Sequence, residues 1–262
     1  IVTRRLFDHG FTYIFQMPDT RICFAIPYER EFTLIGTTDR DHTGSLVEVA
    51  ARQDEIAYLC EAAGRYFLTP VTPADVVWSF AGVRALVNDG SGRPEAATRG
   101  YRISLSEAGD GPPLMGIWGG KITSCRHLAE SAVDRLGPRV SALRGKAWTA
   151  RAPLPGGDFP VDCFDDLVET LGASHPFLNH TETVRIARAY GTRAQRWLAN
   201  ARRREDLGHD FGCGLSEAEL AYLSREEWAR TAEDALWRRS KLGLHMTAEQ
   251  RGAVFEWFSR NF

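Results

Sequence analysis

The residues best placed to do chemistry in this sequence lie in one stretch. An apolar run, Leu114-Met115-Gly116-Ile117-Trp118, breaks at Gly119-Gly120-Lys121 and leads through Ile122-Thr123-Ser124 into a helical pattern. A strand that turns at glycines into a helix presents the helix's unpaired N–H groups and its partial positive charge, which attract an anion or an electron-rich ring edge. The glycines let a bulky ligand approach the backbone, and Lys121 adds a full charge at the same point. A plain strand-to-helix turn with an exposed lysine gives the same pattern. Arg84, within Phe80-Ala81-Gly82-Val83-Arg84-Ala85-Leu86, and Arg99, after Thr98, form a second set. An arginine inside a strand either points to solvent or has a partner. Two arginines and a lysine at neighbouring strand ends make a pocket for a phosphate or carboxylate, which guanidinium grips bidentately. A solvated strand face or a structural ion pair accounts for the arginines equally well.

Other motifs fail on inspection. There is no GxGxxG dinucleotide fingerprint and no GxSxG nucleophile elbow. Gly116 to Lys121 is one residue short of a phosphate loop, and Ile122 stands where Ser or Thr is required. His209 and Cys213 lie four apart in a glycine-rich loop, which reads more simply as a turn with a small thiol than as a nucleophile pair. The seven histidines and five cysteines are scattered, without the spacing of a metal site, so no metal is expected. Arg202-Arg203-Arg204 reads as a solvated helix end, with anionic lipid as the sharper alternative.

Composition sets the frame for these sites. The chain has 262 residues, 44% hydrophobic and 25% charged, which is globular composition with room for one large domain or two ordinary ones. Lys plus Arg is 32 and Asp plus Glu is 34, a net charge of −2 that argues against nucleic acid as a partner. No apolar run approaches the length of a membrane span. Five dispersed cysteines suit a reducing, cytoplasmic setting. Ile1-Val2-Thr3-Arg4-Arg5 has neither Met nor a signal-peptide pattern and leads directly into strand-like sequence, as in a stretch cut from a longer protein.

The elements that must position the site follow from periodicity. Phe11–Gln16, Ile22–Pro27 and Phe32–Thr38 read as an antiparallel meander. From Asp54 the period becomes helical, with Ile56, Leu59, Cys60, Ala63 and Phe67 on one face. Thr72-Pro73 resets the chain, and Val76–Val87 reads as a strand carrying Arg84. Tyr101–Leu105 and Leu114–Trp118 form a hairpin, followed by a helix with Cys125, Leu128, Ala129, Ala132 and Leu136 on its apolar face. Beyond the loop at 138–157 the character is helical. Capping boxes are expected at Ser216–Glu219, Ser224–Glu227 and Thr247–Gln250, with Trp228, Ala232, Ala235 and Leu236 facing inward after the second. A further helix runs from Thr181 to Tyr190. The fold class is α+β, divided into a β-rich region at 1–145 and a helical domain at 146–262.

Five segments in chain order carry a resemblance: Phe32–Asp39 (FTLIGTTD), Val77–Leu86 (VWSFAGVRAL), Ala97–Tyr101 (ATRGY), Gly119–Leu128 (GGKITSCRHL) and Trp228–Leu242 (WARTAEDALWRRSKL). Together they resemble the FAD-dependent, aerobic sn-glycerol-3-phosphate dehydrogenases, with the last segment the most specific and the GGK turn shared more widely in the superfamily. The resemblance implies a C-terminal portion without the N-terminal FAD-binding segment: a substrate-domain sheet, a strand-turn-helix return into the flavin domain, and a helical C-terminal domain. It implies that Arg84 and Arg99 bind the glycerol phosphate, that Lys121 is catalytic beside substrate and flavin, and that Gly119, Gly120, Lys121, Ile122 and Thr123 meet the cofactor. Thr123-Ser124-Cys125-Arg126 departs from the family's Thr-Thr-Tyr-Arg, and Ala85 replaces a frequent proline.

The implied activity is oxidation of sn-glycerol 3-phosphate to dihydroxyacetone phosphate, with electrons passing through FAD to a membrane quinone. Most of the FAD site would lie upstream, so this stretch alone is expected to be colourless and inactive. The implied setting is cytoplasmic, peripheral on the inner face of the cell membrane, with a homodimer as one candidate assembly. Two rivals remain: a flavoenzyme of the same superfamily acting on an amine or amino acid, and a non-catalytic partner-binding or membrane-docking module.

Overall fold

Alternation of apolar and polar residues near the start of the chain produces the sheet it predicts. In the computed structural model, which describes residues 1–87, 100–106, 112 and 114–261, five short strands pair in the order β2-β3-β4-β1-β5. They are β1 (Val2–Arg4), β2 (Tyr13–Gln16), β3 (Ile22–Tyr28), β4 (Phe32–Gly36) and β5 (Val76–Trp78). Every neighbouring pair is antiparallel, and β2-β3-β4 is the expected meander, with Phe15 opposite Cys23 and Ala25 opposite Ile35. Because side chains alternate between faces, Phe15, Cys23, Ala25 and Ile35 share one face and are all buried.

Helix α1 (Gln53–Gly64) covers that face. Ile56, Leu59, Cys60 and Ala63 point inward at the predicted spacing and join the sheet residues in one core. Burying an aliphatic side chain of this size contributes roughly 1.5–3 kcal/mol, so α1 and the sheet stabilise one another. The first turn of α1 is capped by its own carboxylate, since Glu55 Oε2 accepts the Arg52 N–H at 3.2 Å.

The expected strand over Val76–Val87 is a correction: β5 ends at Trp78, and residues 79–87 run without ladder pairing. A strand needs a ladder partner, and none of the described residues pairs with the segment beyond Trp78, which lies opposite Val2. Arg84 is therefore on an irregular segment and not inside a strand.

The hairpin is present as β6 (Tyr101–Ser106) paired with β7 (Leu114–Gly119), from Tyr101 opposite Gly119 to Ser106 opposite Leu114. A single turn of 3-10 helix at Ile122–Ser124 then leads into α2 (Cys125–Leu136). The Tyr101 hydroxyl lies 3.3 Å from Ser131 Oγ, and Arg135 Nη1 donates to the Ile103 carbonyl at 3.0 Å, which ties α2 to the hairpin. Of the predicted apolar face, Ala132 is buried, Leu128 and Leu136 are half-buried, and Cys125 and Ala129 are exposed. The period is right, but the cover over this face is thin.

The chain divides into units Ile1–Ala150 and Arg151–Phe262. The second is helical: α3 (Phe164–Ser174), α4 (His180–Tyr190), the short α5 (Gln195–Leu198), α6 (Glu217–Glu226), a wide π-helical turn at Asp234–Arg239, and α7 (Ala248–Asn261). Caps set the boundaries. Asn179 accepts the Glu182 N–H at 3.0 Å, Ser216 Oγ accepts the Glu219 N–H at 3.3 Å, and Thr247 Oγ1 accepts the Gln250 N–H at 3.2 Å.

The capping box expected at Ser224 is a second correction. Ser224 lies within α6, and Trp228 is exposed with a positive φ outside any helix. The next helical stretch opens at Thr231 instead, whose Oγ1 accepts the Asp234 N–H at 3.2 Å while Asp234 Oδ2 accepts the Arg230 N–H at 2.9 Å. Ala232, Ala235 and Leu236 face inward as expected.

One buried polar cluster sits in this helical core. Glu219, with no exposed surface, receives Arg185 Nη1 at 2.6 Å and Nη2 at 2.8 Å, and the Tyr190 hydroxyl at 2.6 Å. Burial opposes the charge on Arg185, but the Glu219 carboxylate overcomes it and holds the guanidinium above its ordinary range. Burial, then the same carboxylate, pushes the Tyr190 phenol well above its usual value.

Candidate functional site

The glycine turn is held in a form that glycine suits. Gly119 has φ +69° and Gly120 φ +96°, conformations that side-chain-bearing residues rarely adopt. A Cβ on Gly119 would lie 2.9 Å from Val87 Cγ2 and 3.0 Å from the Gly100 carbonyl oxygen. The turn therefore packs directly against two other segments of the first unit. Val87, three residues beyond Arg84 in the sequence, and Gly100, the described residue after Arg99, both pack against the turn.

Lys121 is extended, with φ −92° and ψ 151°, and stands at the cap position of the helical turn. Its carbonyl accepts both the Ser124 N–H at 3.0 Å and the Ser124 hydroxyl at 2.8 Å, which closes the first turn. The first N–H groups of a helix have no intrahelical acceptor, and Ile122 and Thr123, which carry them here, are exposed. The turn thus offers accessible backbone donors, a partial positive charge and the Lys121 ammonium together. That donor set fits the electron-rich edge of a large planar ring or an anionic group. Behind it, Arg126 pairs with Glu130 at 3.1 Å and the Thr149 hydroxyl donates to the same carboxylate, fixing the start of α2.

Arg84 is half-exposed and donates from Nη1 to Asp39 Oδ2 at 2.8 Å. Asp39 closes the segment after β4, and its neighbours are tethered to the first turn of α1. Thr38 donates its hydroxyl to Glu55 Oε1 at 2.7 Å, and Arg40 Nη1 lies 3.4 Å from Asp54 Oδ2. Sequence reasoning gave Arg84 a candidate role but none to Asp39. The two lie 45 residues apart, and no local pattern announces such a pair. Arg99 lies outside the described residues.

The remaining sequence candidates resolve into structural roles. Arg203 pairs with Asp206 at 3.2 Å, and Arg204 pairs with Glu182 at 2.7 Å, so much of the basic run is matched by carboxylates. His209 packs edge-on against Phe211, with ring centroids 4.7 Å apart, and Cys213 is exposed in a left-handed turn. Among the described residues no group of three His, Cys, Asp or Glu side chains is placed to hold a metal ion. No helix among them is long and apolar enough to cross a membrane.

Comparison with known proteins places both units. Residues 1–126 match the family described as FAD dependent oxidoreductase, and residues 147–257 match the C-terminal domain of alpha-glycerophosphate oxidase. The chain is 45% identical to a glycerol-3-phosphate dehydrogenase of Pseudomonas aeruginosa over 96% of its own length and 49% of that protein's. It is 42% identical to a D-erythritol 1-phosphate dehydrogenase of Brucella abortus, over 98% of the chain and 51% of the relative. It is 40% identical to the aerobic glycerol-3-phosphate dehydrogenase of Escherichia coli, again over 98% and 51%. The chain spans about half the length of these curated relatives.

Proposed function

We propose, on the premise that the chain belongs to the FAD-dependent glycerol-3-phosphate dehydrogenase family, that the protein it forms part of oxidises sn-glycerol 3-phosphate to dihydroxyacetone phosphate. The observation that carries this reading is that Val87, three residues beyond Arg84, and Gly100 both pack against the Gly119 turn. An anion anchor and a cofactor-facing helix N-terminus then belong to one site.

Each residue has a part in the proposal. Arg84 and Arg99 bind the substrate phosphate and fix the orientation of its C2 carbon, a positioning contribution. Gly119, Gly120, Ile122 and Thr123 offer backbone to the flavin ring, and Lys121 places its ammonium beside ring and substrate as the catalytic cation. FAD, when bound, supplies the acceptor for the C2 hydride. A helix N-terminus there favours the negative charge that a reduced flavin carries. This chain would hold only part of that cofactor's site, so by itself it is expected to be colourless and inactive.

The proposal extends to the protein's surroundings. Electrons pass onward to a membrane quinone, and the protein works on the cytoplasmic side, peripherally on the inner face of the membrane, with a homodimer as its candidate assembly. The D-erythritol 1-phosphate dehydrogenase relative supports a second reading, in which the substrate is a longer polyol phosphate held by the same phosphate anchor.

Replacing Arg84 in the full-length holoenzyme tests the anchor. A charge-assisted hydrogen bond to phosphate contributes roughly 1.5–3 kcal/mol, so Arg84→Ala should raise the KM for sn-glycerol 3-phosphate at least tenfold. Unchanged kinetics would remove Arg84 from the site.

A further inference from the structure

Arg84 does not stand alone, and what holds it has a role of its own. We propose that Asp39 is a positioning residue, which clamps one edge of the Arg84 guanidinium so that the remaining N–H groups face the phosphate of the substrate. The inference rests on the reading of Arg84 as the phosphate anchor.

Three observations support the assignment. Asp39 Oδ2 accepts from Nη1 of Arg84 at 2.8 Å, and among the described residues this is the one hydrogen bond the guanidinium makes. A guanidinium carries five N–H donors in a rigid planar fork, so holding one nitrogen narrows the directions in which the rest can point. The residues on either side of Asp39 are themselves tethered, because Thr38 bonds to Glu55 at 2.7 Å and Arg40 approaches Asp54 at 3.4 Å. Glu55 also accepts the Arg52 N–H at the start of α1, so the clamp is referred to a helix and not to a free loop. Finally, Arg84 is on the irregular segment beyond β5, where no strand ladder orients it. A half-exposed pair adds little to stability; its effect here is to remove rotamer freedom that binding would otherwise have to remove.

The test uses the full-length holoenzyme with steady-state kinetics on sn-glycerol 3-phosphate and inorganic phosphate as a competitive inhibitor. Asp39→Asn keeps the size of the side chain and one acceptor oxygen but loses the charge. KM and the phosphate inhibition constant should both rise about tenfold, with kcat within about twofold, and Asp39→Glu should restore part of the loss. In an Arg84→Ala background, Asp39→Asn should be silent, because Asp39 acts through Arg84. Wild-type KM in Asp39→Asn, or its full effect persisting without Arg84, overturns the proposal. Arg84→Ala with wild-type KM overturns the reading of the anchor itself, which is a separate result. If Asp39→Asn loses flavin or unfolds, Thr38→Val provides the second probe. It cuts the tether to Glu55 and should raise KM about threefold; no change there overturns the clamp.

Discussion

Placing a methyl group on Gly119 tests the geometry of the glycine turn directly. At φ +69° an L-residue is left-handed, which costs about 1–2 kcal/mol. The added Cβ would lie 2.9 Å from Val87 Cγ2 and 3.0 Å from the Gly100 carbonyl oxygen. The carbonyl is backbone and cannot swing away, so one of three segments must shift, at a further cost of about 1–3 kcal/mol. Together Gly119→Ala should cost about 2–5 kcal/mol locally, a large share of the 5–15 kcal/mol that holds a typical domain together. In the full-length protein the expected result is a lower Tm and at least a tenfold loss of flavin affinity, read from absorbance of the bound cofactor during dialysis. Gly64→Ala is the control. A Cβ there meets nothing within 4 Å at the end of α1, so that variant should hold its flavin and gain about 0.5–1 kcal/mol. Gly119→Ala with wild-type Tm and flavin content would refute the reasoning.

Two further predictions concern the helical unit. Glu219→Gln removes the charge paired with Arg185 in the core and should cost about 3–5 kcal/mol, read by denaturation of the full-length protein. Replacing both partners with apolar residues should recover much of the loss, and a cost below about 1 kcal/mol for Glu219→Gln would contradict the buried-pair account. Glu182 is pushed up by burial, but Arg204 and the Asn179 N–H overcome this and hold its carboxyl below the usual range. A depressed folded value contributes stability above about pH 4.3, the ordinary glutamate value, and loses it as pH falls through the folded one. Glu182→Gln should therefore flatten the acid limb of the stability profile; an unchanged limb would contradict this.

Much of the fold is legible in local pattern. Period-two alternation marks β2, β3 and β4, and helical spacing marks the buried face of α1, because both report which side meets a core. The same logic misleads at residues 79–87. Their β-branched and aromatic side chains look strand-like, but a strand also needs a neighbour to pair with, which no local pattern states. Ser224 fits a capping box in composition, yet α6 runs through it and the actual cap forms seven residues on, at Thr231. The glycine turn is readable because positive φ favours glycine. Asp39 is not, since an aspartate after a strand is common and its partner lies on another segment.

The central claim is most directly tested by dye-linked oxidation with the flavin-loaded, full-length protein. Substrates would be sn-glycerol 3-phosphate and D-erythritol 1-phosphate, with glycine and sarcosine as controls. The account predicts turnover of a phosphorylated polyol, with sn-glycerol 3-phosphate preferred and the amines inert. Turnover of the amines alone, or of none of the four, would contradict it.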